Sequence, residues 1–355
     1  MFRNFKVVPK IIFGKGSFDQ LEDILSERRK DKKSFMVFLI DHAFENTDFK
    51  NKVPLKTDDM LIWTDTSAEP KTYYIDQLVQ DIKKYKDALP DGIIGIGGGA
   101  TMDIAKAVSL MLTNSGSSED YQGWDLIKNP AIYHVGIPTL SGTGAEASRT
   151  AILTGPQRKL GINSDYTVFD QIVLDPNLTQ GAPKDQRFYT GMDCYIHCVE
   201  ALTGTYLNAF SKGYGEKALE LCQNVFLRDS KEAADELMIA SYFGGMSIAY
   251  SQVGVCHALS YGLSFGLGVK HGIGNCIAFD YLEKFYPQGV AEFRKMQEIA
   301  KVEIPRGITK DIDNNTLDKM ITVALGLEPL WENALGKDWK KKMPKERIKE
   351  LYLKM

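Results

Sequence analysis

The sequence predicts an α/β domain with a mostly parallel sheet, followed by an all-α domain. In the first half, short β-branched runs alternate with segments whose apolar residues recur at helical spacing, a pattern typical of a parallel sheet covered on both faces. The predicted strands lie at 36–40, 92–96, 132–137 and 171–174, and the predicted helices between them at 71–86 and 101–112. Beyond residue 183 the β-branched runs end, and helices are predicted at 184–202, 211–227 and 231–250. We therefore expect one domain over 1–178 and a second over 179–355.

The overall charge argues against a nucleic-acid-binding protein. The 355 residues include 43 Lys and Arg against 46 Asp and Glu, a formal net charge of −3. Displacing counterions from a duplex needs a clear basic surplus, which is missing here. The lysine-rich tail at 337–355 is predicted to form one solvated amphipathic helix rather than a basic binding patch.

Cysteine usage and the N-terminal residues indicate a cytoplasmic protein. Five cysteines form an odd set without a CxxC pair, and no apolar run follows the charged residues after Met1, as a secretory signal would require. The uncharged stretch 237–269 is long enough to span a bilayer. Its six glycines and its polar residues favour buried helices instead, so we expect no membrane span.

A glycine-rich segment at 95–103 follows one predicted strand and opens a predicted helix. Three consecutive glycines, Gly97, Gly98 and Gly99, allow backbone N–H groups to approach an anion closely, and a helix that begins near Thr101 directs its positive end to the same place. Asp103 closes the motif. The alternative is a tight turn without a ligand, but the strand-before, helix-after context favours a pyrophosphate site in a Rossmann-like domain.

Two further features accompany this segment. The loop 138–146 presents the hydroxyls of Thr139, Ser141 and Thr143, which suit phosphate or carboxamide groups, although an ordinary Ser/Thr/Gly loop is the alternative. Asp41 ends the strand 36–40, where a carboxylate can accept a hydrogen bond from a ribose 2′-OH and repel a 2′-phosphate. This favours NAD over NADP. The alternative for Asp41 is an N-cap of the following residues.

A candidate metal site lies in the predicted helical half. Asp193 and His197 are four residues apart, so a helix places them on one face, and His257 and His271 follow in an uncharged, glycine-rich region. Buried core histidines are the alternative, but these three are drawn from only five in the chain. One carboxylate and three imidazoles suit a divalent ion such as Fe²⁺ or Zn²⁺. Cys194 and Cys198, about 100° round the helix, are interpreted as core thiols.

The motifs at 97–103, 138–146, 191–197 and 256–272 together resemble the iron-containing alcohol dehydrogenase family, in its order and over essentially the whole chain. The resemblance implies an NAD-binding α/β domain, a helical metal-binding domain, and hydride transfer from an alcohol whose pKa the metal lowers. The metal ligands that it implies are Asp193, His197, His257 and His271. The cofactor contacts that it implies are Asp41, the loop Gly97–Asp103, Thr139, Ser141, Thr143, Ile152, Lys159 and Leu178.

One position departs from the family pattern. Many members carry a histidine four residues after the third ligand, with a proposed part in proton transfer, whereas this sequence has Tyr261. Tyr261 is therefore the candidate residue for that part in proton transfer. We also expect a homodimer.

Segments 5–14 and 146–161 resemble a narrower group within the family, whose members oxidise the C8 alcohol of the sugar acid 3-deoxy-D-manno-octulosonate (Kdo). The aldehyde is then aminated by a partner aminotransferase for lipopolysaccharide biosynthesis. A carboxylate on such a substrate needs cationic partners, and Arg149 and Lys270 are the candidates. The alternatives are a dehydrogenase for a small alcohol or aldehyde, a dehydroquinate-synthase-like lyase, and a non-catalytic nucleotide or metal sensor.

Overall fold

The computed structural model describes residues 6–29, 35–228 and 230–355, and these residues form two compact units. One unit contains 6–140 and 145–181, and the other contains 141–144 and 182–355. The division into domains at residue 178 stays a prediction, because compactness alone does not show that either part folds by itself.

The first unit is built on a six-stranded sheet in which every neighbouring pair is parallel. The strands of the described residues are β1 Lys10–Phe13, β2 Met36–Asp41, β3 Met60–Thr64, β4 Gly92–Gly97, β5 Gly123–Trp124, β6 His134–Pro138, β7 Thr150–Thr154, β8 Lys159–Asn163 and β9 Gln171–Leu174. The order across the large sheet is β1-β9-β6-β4-β2-β3. The helices of this unit are α1 Leu21–Ser26, α2 Thr72–Tyr85 and α3 Gly99–Met111. The predicted α/β architecture is confirmed.

The central strands are buried on both faces, which explains why their sequences are continuously apolar rather than alternating. All six residues of β4 are buried, and α3 packs against β2, β4 and β6. Gly95 makes this close packing possible, because a Cβ there would lie 2.6 Å from the Cβ of Ala105. The helix predicted from residue 101 begins at Gly99, two residues earlier.

The order of the strands creates a switch point between β2 and β4. The chain runs from β2 outward to β3 and returns to β4 on the other side of β2, from where it continues towards the opposite edge. In open parallel sheets, ligands bind beyond the carboxyl ends of the strands at such a point. Ile40 pairs with Ile96, and Gly97 pairs with Pro138, so that Asp41 and the two sequence loops emerge at one edge.

The sequence did not predict every strand. β1 and β3 are edge strands of the large sheet, and β7 and β8 pair antiparallel in a second, three-stranded sheet of order β5-β8-β7. The helices α2 and α3, by contrast, match their predictions to within two residues.

The second unit is helical over its described residues, as predicted. Its helices are α4 Lys184–Thr203, α5 Ala209–Leu227, α6 Ala233–Tyr250, α7 Val255–Leu267, α8 His271–Asp280, α9 Pro287–Ala300, α10 Asn314–Leu325, α11 Glu328–Leu335, α12 Trp339–Lys342 and α13 Lys345–Tyr352. The helix α4 contacts all of α5 to α9 and is buried continuously from Thr190 to Ala201. It is the central helix of this unit.

The C-terminal tail corrects one prediction. A single solvated helix was expected over 337–355, but two short helices, α12 and α13, are separated at Met343 and Pro344. A proline disfavours helical backbone at the residue before it, so Pro344 breaks the helix. Trp339, Met343 and Tyr352 are buried, so this tail contributes to the core as well as to the surface.

The long uncharged stretch forms buried helices, as expected. Within 6–29, 35–228 and 230–355, no helix combines the length and the apolarity needed to cross a bilayer. All five cysteines are buried and free of disulfides.

Candidate functional site

Four side chains from three helices converge in the second unit. Asp193 and His197 lie one turn apart on α4, His257 lies in the first turn of α7, and His271 is the first residue of α8. One ligand atom from each lies within 4.8 Å of the others. The Nε2 atoms of His197 and His257 are each 3.3 Å from Asp193 Oδ1, and that of His271 is 3.6 Å away.

Three of the four residues of the cluster are buried, so their charges are poorly screened. Burial alone would raise the pKa of Asp193, but the three imidazoles outweigh burial and hold that pKa far below its usual value. Burial lowers the pKa of His197 to about 4. Burial acts on His257 in the same direction, but the Glu200 and Asp193 carboxylates outweigh it and raise that pKa to about 9. Asp193 is therefore ionised and His197 neutral, the protonation states that metal ligation requires of these two groups, whereas His257 has to release a proton when a metal binds.

The donor set fits a divalent cation. Within the described residues, Asp193 Oδ2 and His197 Nδ1 are buried without a hydrogen-bond partner, and a buried carboxylate oxygen left in that condition is costly. Three imidazoles and one carboxylate make a mixed nitrogen and oxygen site that suits Fe²⁺ or Zn²⁺. A cation among the four groups would supply the missing partner of the carboxylate.

Two residues next to the cluster were not predicted. Glu200 accepts a hydrogen bond from His257 Nδ1 at 2.6 Å, and the Asn275 amide donates to Asp193 Oδ1 at 2.7 Å. Both are buried. Helical spacing in the sequence could have indicated both residues, because Glu200 lies seven residues after Asp193 on one helix face and Asn275 lies four residues after His271.

Tyr261, on α7 one turn after His257, borders the same cluster. Its ring lies against that of His271 in a T-shaped arrangement, with centroids 5.7 Å apart, and only 9% of the residue is exposed. A part for Tyr261 in proton transfer stays a prediction.

Asp41 has the contacts of an N-cap as well as the place predicted for a ribose ligand. Its Oδ1 accepts from the N–H of Ala43 at 3.0 Å, and both carboxylate oxygens lie 3.1 Å from the Thr66 hydroxyl. Thr101 approaches its Oδ2 at 3.5 Å. The carboxylate is therefore held at the switch point of the sheet by β2 and its neighbours, and the capping alternative and the ribose role are compatible.

The glycine loop lies directly beside Asp41. A Cβ on Gly97 would clash with the side chain of Thr101 and lie 3.0 Å from the Cβ of Asp41. A Cβ on Gly98 would lie 2.9 Å from Leu140. Gly99 begins α3, so the first backbone N–H groups of this helix lie at the predicted phosphate loop. The local structure needs glycine at position 97 whether or not a ligand is bound.

The residues of the second loop divide between the two units. Thr139 donates its backbone N–H to Gly97 O at 2.9 Å in the first unit. Ser141 and Thr143 belong with the helical unit. Between them Gly142 has a φ of +142°, and a Cβ at this position would overlap the carbonyl of Thr190. Ser141 Oγ is buried and has no hydrogen-bond partner within the described part of the chain.

The remaining predicted cofactor residues have varied surroundings. Lys159 on β8 is buried and its Nζ lies 2.8 Å from Glu69 Oε2. Ile152 on β7 is half-buried, and Leu178 packs against the core of the large sheet. Burial raises the pKa of Asp103 well above its usual value, and Lys106 limits that rise.

The two candidate substrate cations also differ. The Arg149 guanidinium is paired with Asp125 and with Asp165, the latter at 3.1 Å. Lys270 is exposed at the start of α8, next to His271.

Comparison with known proteins now identifies the family. The "Iron-containing alcohol dehydrogenase" family model matches residues 9–176, and the model of the C-terminal part of the Fe-containing alcohol dehydrogenase family matches residues 187–328. The chain belongs to the iron-containing alcohol dehydrogenase family, as its motifs predicted.

Individual relatives show how far this similarity reaches. Alcohol dehydrogenase 4 of Schizosaccharomyces pombe is 31% identical over 59% of this chain and 51% of its own length. Sulfoacetaldehyde reductase of Bilophila wadsworthia is 30% identical over 60% of this chain and 56% of its own. The match thus spans little more than half of either relative. For 4-hydroxybutyrate dehydrogenase of Cupriavidus necator the identity is 31%, over 69% of this chain and 67% of the relative.

Solved structures share the fold over nearly the whole chain. A 1,3-propanediol oxidoreductase superposes with a TM-score of 0.82 and 19% identity, covering 99% of both chains. Sulfoacetaldehyde reductase from Bifidobacterium kashiwanohense, determined in complex with NAD⁺, superposes with a TM-score of 0.80 and 18% identity, covering 99% of this chain and 98% of that one.

Proposed function

We propose that this chain is an NAD-dependent alcohol dehydrogenase that uses one divalent cation held by Asp193, His197, His257 and His271. The observation that carries the proposal is the convergence of these four side chains within 4.8 Å, together with a buried oxygen of Asp193 that has no partner among the described residues. The cation is Fe²⁺ or Zn²⁺.

The chain's own residues bind and orient the reactants. Asp41 and the loop Gly97–Asp103 bind the ribose and the pyrophosphate of NAD, and Thr139, Ser141 and Thr143 bind its nicotinamide side. Ile152, Lys159 and Leu178 add further cofactor contacts. When bound, the cation supplies positive charge that lowers the pKa of a substrate hydroxyl, and NAD supplies the hydride acceptor. Tyr261, next to His271, is the candidate to hold or pass the hydroxyl proton.

For the substrate we propose the C8 alcohol of Kdo, oxidised to the aldehyde. The resemblance of segments 5–14 and 146–161 to enzymes of that specificity supports this choice. Two relatives, sulfoacetaldehyde reductase and 4-hydroxybutyrate dehydrogenase, are named for small molecules that carry an anionic group, so such substrates are compatible with this scaffold. A small neutral alcohol is the second candidate, since the name of another relative is NAD-dependent methanol dehydrogenase.

The candidate cations for the substrate carboxylate are not equivalent. Arg149 already has Asp125 and Asp165 as partners, so a substrate carboxylate would have to compete with them. Lys270 is exposed and next to His271, which favours Lys270. Lys270→Met should raise KM for Kdo about tenfold and leave KM for a short neutral alcohol unchanged, because only the charged substrate loses a partner. Lys284→Met, at another exposed lysine, is the control.

A substrate panel tests the function as a whole. Metal-free protein is reloaded with Fe²⁺ or Zn²⁺, given NAD, and assayed with Kdo and short neutral alcohols by NADH absorbance. NADH formation with Kdo alone supports the sugar-acid proposal, and formation with neutral alcohols alone replaces it with the second candidate. A lyase that uses NAD only transiently would accumulate no NADH while consuming its substrate. A homodimer and an aminotransferase that consumes the aldehyde stay predictions.

A further inference from the structure

Glu200 is a buried carboxylate that accepts hydrogen bonds from three donors. Its Oε2 accepts from His257 Nδ1 at 2.6 Å. Its Oε1 accepts from the backbone N–H of Cys256 at 2.6 Å and from the hydroxyl of Tyr286 at 3.1 Å. Only 1% of the residue is exposed. Such a carboxylate is expensive to bury, so its contacts must compensate for the lost hydration.

The contacts of Glu200 define which atom of His257 carries a proton. An ionised carboxylate accepts hydrogen bonds and donates none, so the 2.6 Å contact requires a proton on Nδ1. The other ring nitrogen, Nε2, faces Asp193 Oδ1 at 3.3 Å, inside the four-residue cluster. The lone pair that a cation needs can then be offered only by Nε2.

We propose that Glu200 is a positioning residue for the metal centre: it holds the Nδ1 proton of His257, so that Nε2 is the ligand atom and the ring is kept in place. The inference rests on the proposed metal site. Carboxylates that accept from the second nitrogen of a ligating histidine fix its tautomer and strengthen its basicity. The helix α4 carries Glu200 and two of the four proposed ligands, Asp193 and His197. It therefore supplies two ligands and also the residue that positions a third, His257.

The surroundings of Glu200 favour a charged acceptor at this place. Oε1 lies at the N-terminus of α7, where backbone N–H groups and the helix dipole attract negative charge. Burial and the neighbouring Glu200 raise the pKa of Tyr286 well above its usual value, so the phenol keeps its proton and can donate it. Gly254 packs closely against these two residues, because a Cβ there would lie 2.8 Å from the Tyr286 oxygen and 3.1 Å from Glu200 Oε1.

A second interpretation is that Glu200 only caps α7 and packs the interior. The two interpretations differ in what Glu200→Gln does. The glutamine Oε1 can still accept from Cys256 N–H and Tyr286, but its amide nitrogen now donates to His257 Nδ1. The histidine must then carry its neutral-form proton on Nε2, where it can donate to Asp193 Oδ1. The metal-free fold keeps the hydrogen bonds made by residue 200, whereas the lone pair that His257 Nε2 offers to a cation is lost.

The test measures Zn²⁺ affinity by competition with a chromophoric chelator, together with the melting temperature of metal-free protein. Glu200→Gln should weaken Zn²⁺ binding about 10- to 100-fold and change the metal-free melting temperature little. Glu292→Gln is the matched control: Glu292 accepts from the buried Tyr195 at 2.7 Å but contacts no imidazole of the cluster, so its Zn²⁺ affinity should equal that of the wild type.

Tyr286→Phe separates positioning from packing. This change removes one donor to Oε1 and leaves the contact with His257 Nδ1 intact, so Zn²⁺ affinity should fall far less than in Glu200→Gln. Equal Zn²⁺ affinity in Glu200→Gln and in the wild type overturns this inference but not the proposed metal site. The inference also fails if both variants lose Zn²⁺ affinity in proportion to a lower metal-free melting temperature, because that result indicates a packing role. A wild type that binds no Zn²⁺ overturns the proposed metal site, on which the inference depends.

Discussion

His271 is the most accessible member of the four-residue cluster, with 25% of its side chain exposed, and it begins α8 rather than lying inside a helix. Its removal should therefore disturb packing little. His271→Ala is expected to lower bound divalent metal from about one equivalent to well under half, because one of four ligands is lost. Elemental analysis measures the metal, circular dichroism checks the fold, and His42→Ala, an exposed histidine elsewhere, serves as control. Full metal occupancy in His271→Ala would refute the ligand assignment.

Asp41 allows its two roles to be separated by one substitution. Asn is as good an N-cap as Asp, so Asp41→Asn should keep the hydrogen bond from Ala43 and the stability of the protein. It removes the charge that disfavours a 2′-phosphate. The preference for NAD over NADP should therefore narrow about tenfold in titrations followed by tryptophan fluorescence. A wild type that binds NADP as tightly as NAD would remove Asp41 from the ribose site.

Individual site residues can be predicted from the sequence where their type and spacing are unusual for their part of the chain. Asp193 and His197 could be proposed as a pair because helical spacing alone places them on one face. Glu200 and Asn275 have the same spacing relations within their helices, but their partners lie on other helices, and a single sequence does not specify how helices pack. A single sequence likewise does not show the partners of Arg149, because Asp125 follows β5 and Asp165 follows β8.

The helix α3 carries a buried lysine that binds the chain between β6 and β7. Lys106 is completely buried, and its Nζ donates to the carbonyls of Ala145, Ser148 and Thr150. Burial lowers the pKa of Lys106 to about 8, and Asp103 on the preceding turn opposes that shift. A single side chain thus ties the segment between β6 and β7 to the helix that follows the glycine loop.

Lys106→Met should destabilise the protein by at least about 2 kcal/mol, because several buried carbonyls lose their donor at once. Urea unfolding measures the change, and Lys84→Met, at an exposed position of α2, should stay within about 0.5 kcal/mol of the wild type. If the Lys106 variant unfolds like the control, the lysine does not hold this segment.

The buried apolar strands and the helices α2 to α6 were predicted well, whereas β1 and β7 were missed and no helix was specified at α9 or α10. The strands β2, β4, β6 and β9 are buried apolar runs, and α2 to α6 have apolar residues at helical spacing or are apolar throughout. The strand β1 has exposed Ile11 and Phe13, and β7 alternates buried and half-buried residues only over Thr150–Thr154. The partner of β1 is the distant strand β9, and a short, half-exposed strand such as β7 has little apolar pattern of its own, so local pattern identifies neither.

At the scale of the whole molecule, the ionised Asp59 carboxylate stabilises the fold next to the large sheet, so the stability of the protein depends on pH. Its carboxylate accepts from Arg29 at 2.8 and 2.6 Å, and from the N–H groups of Met36 and Lys56 at 2.8 Å each. Burial would raise the pKa of Asp59, but these hydrogen bonds outweigh it and hold the pKa below its usual value. Asp59 therefore stabilises the fold above the unfolded-state pKa of about 4, and this stabilisation is lost as the pH falls through the lower folded-state pKa.

Asp59→Asn should lower the free energy of unfolding by about 2 to 3 kcal/mol at neutral pH. The difference from the wild type should be constant above about pH 5 and shrink below about pH 4, because protonation removes the same charge from the wild type. Urea titrations at several pH values measure it. Asp58→Asn, at an exposed neighbour, should show no such convergence, and a pH-independent gap for Asp59→Asn would mean that its charge is not what stabilises the sheet.

The segment 141–144 has a consequence for how this protein can be divided. It is grouped with 182–355, Gly142 lies against the carbonyl of Thr190, and Gly144 donates its N–H to Ser241 Oγ at 3.2 Å. The helical unit is therefore not encoded by one continuous stretch of gene. A fragment that starts near residue 182, or a recombinant that exchanges the C-terminal half between relatives, would leave α4 and α6 without the tetrapeptide that covers them. Crossovers that preserve the protein must transfer 141–144 together with the C-terminal half.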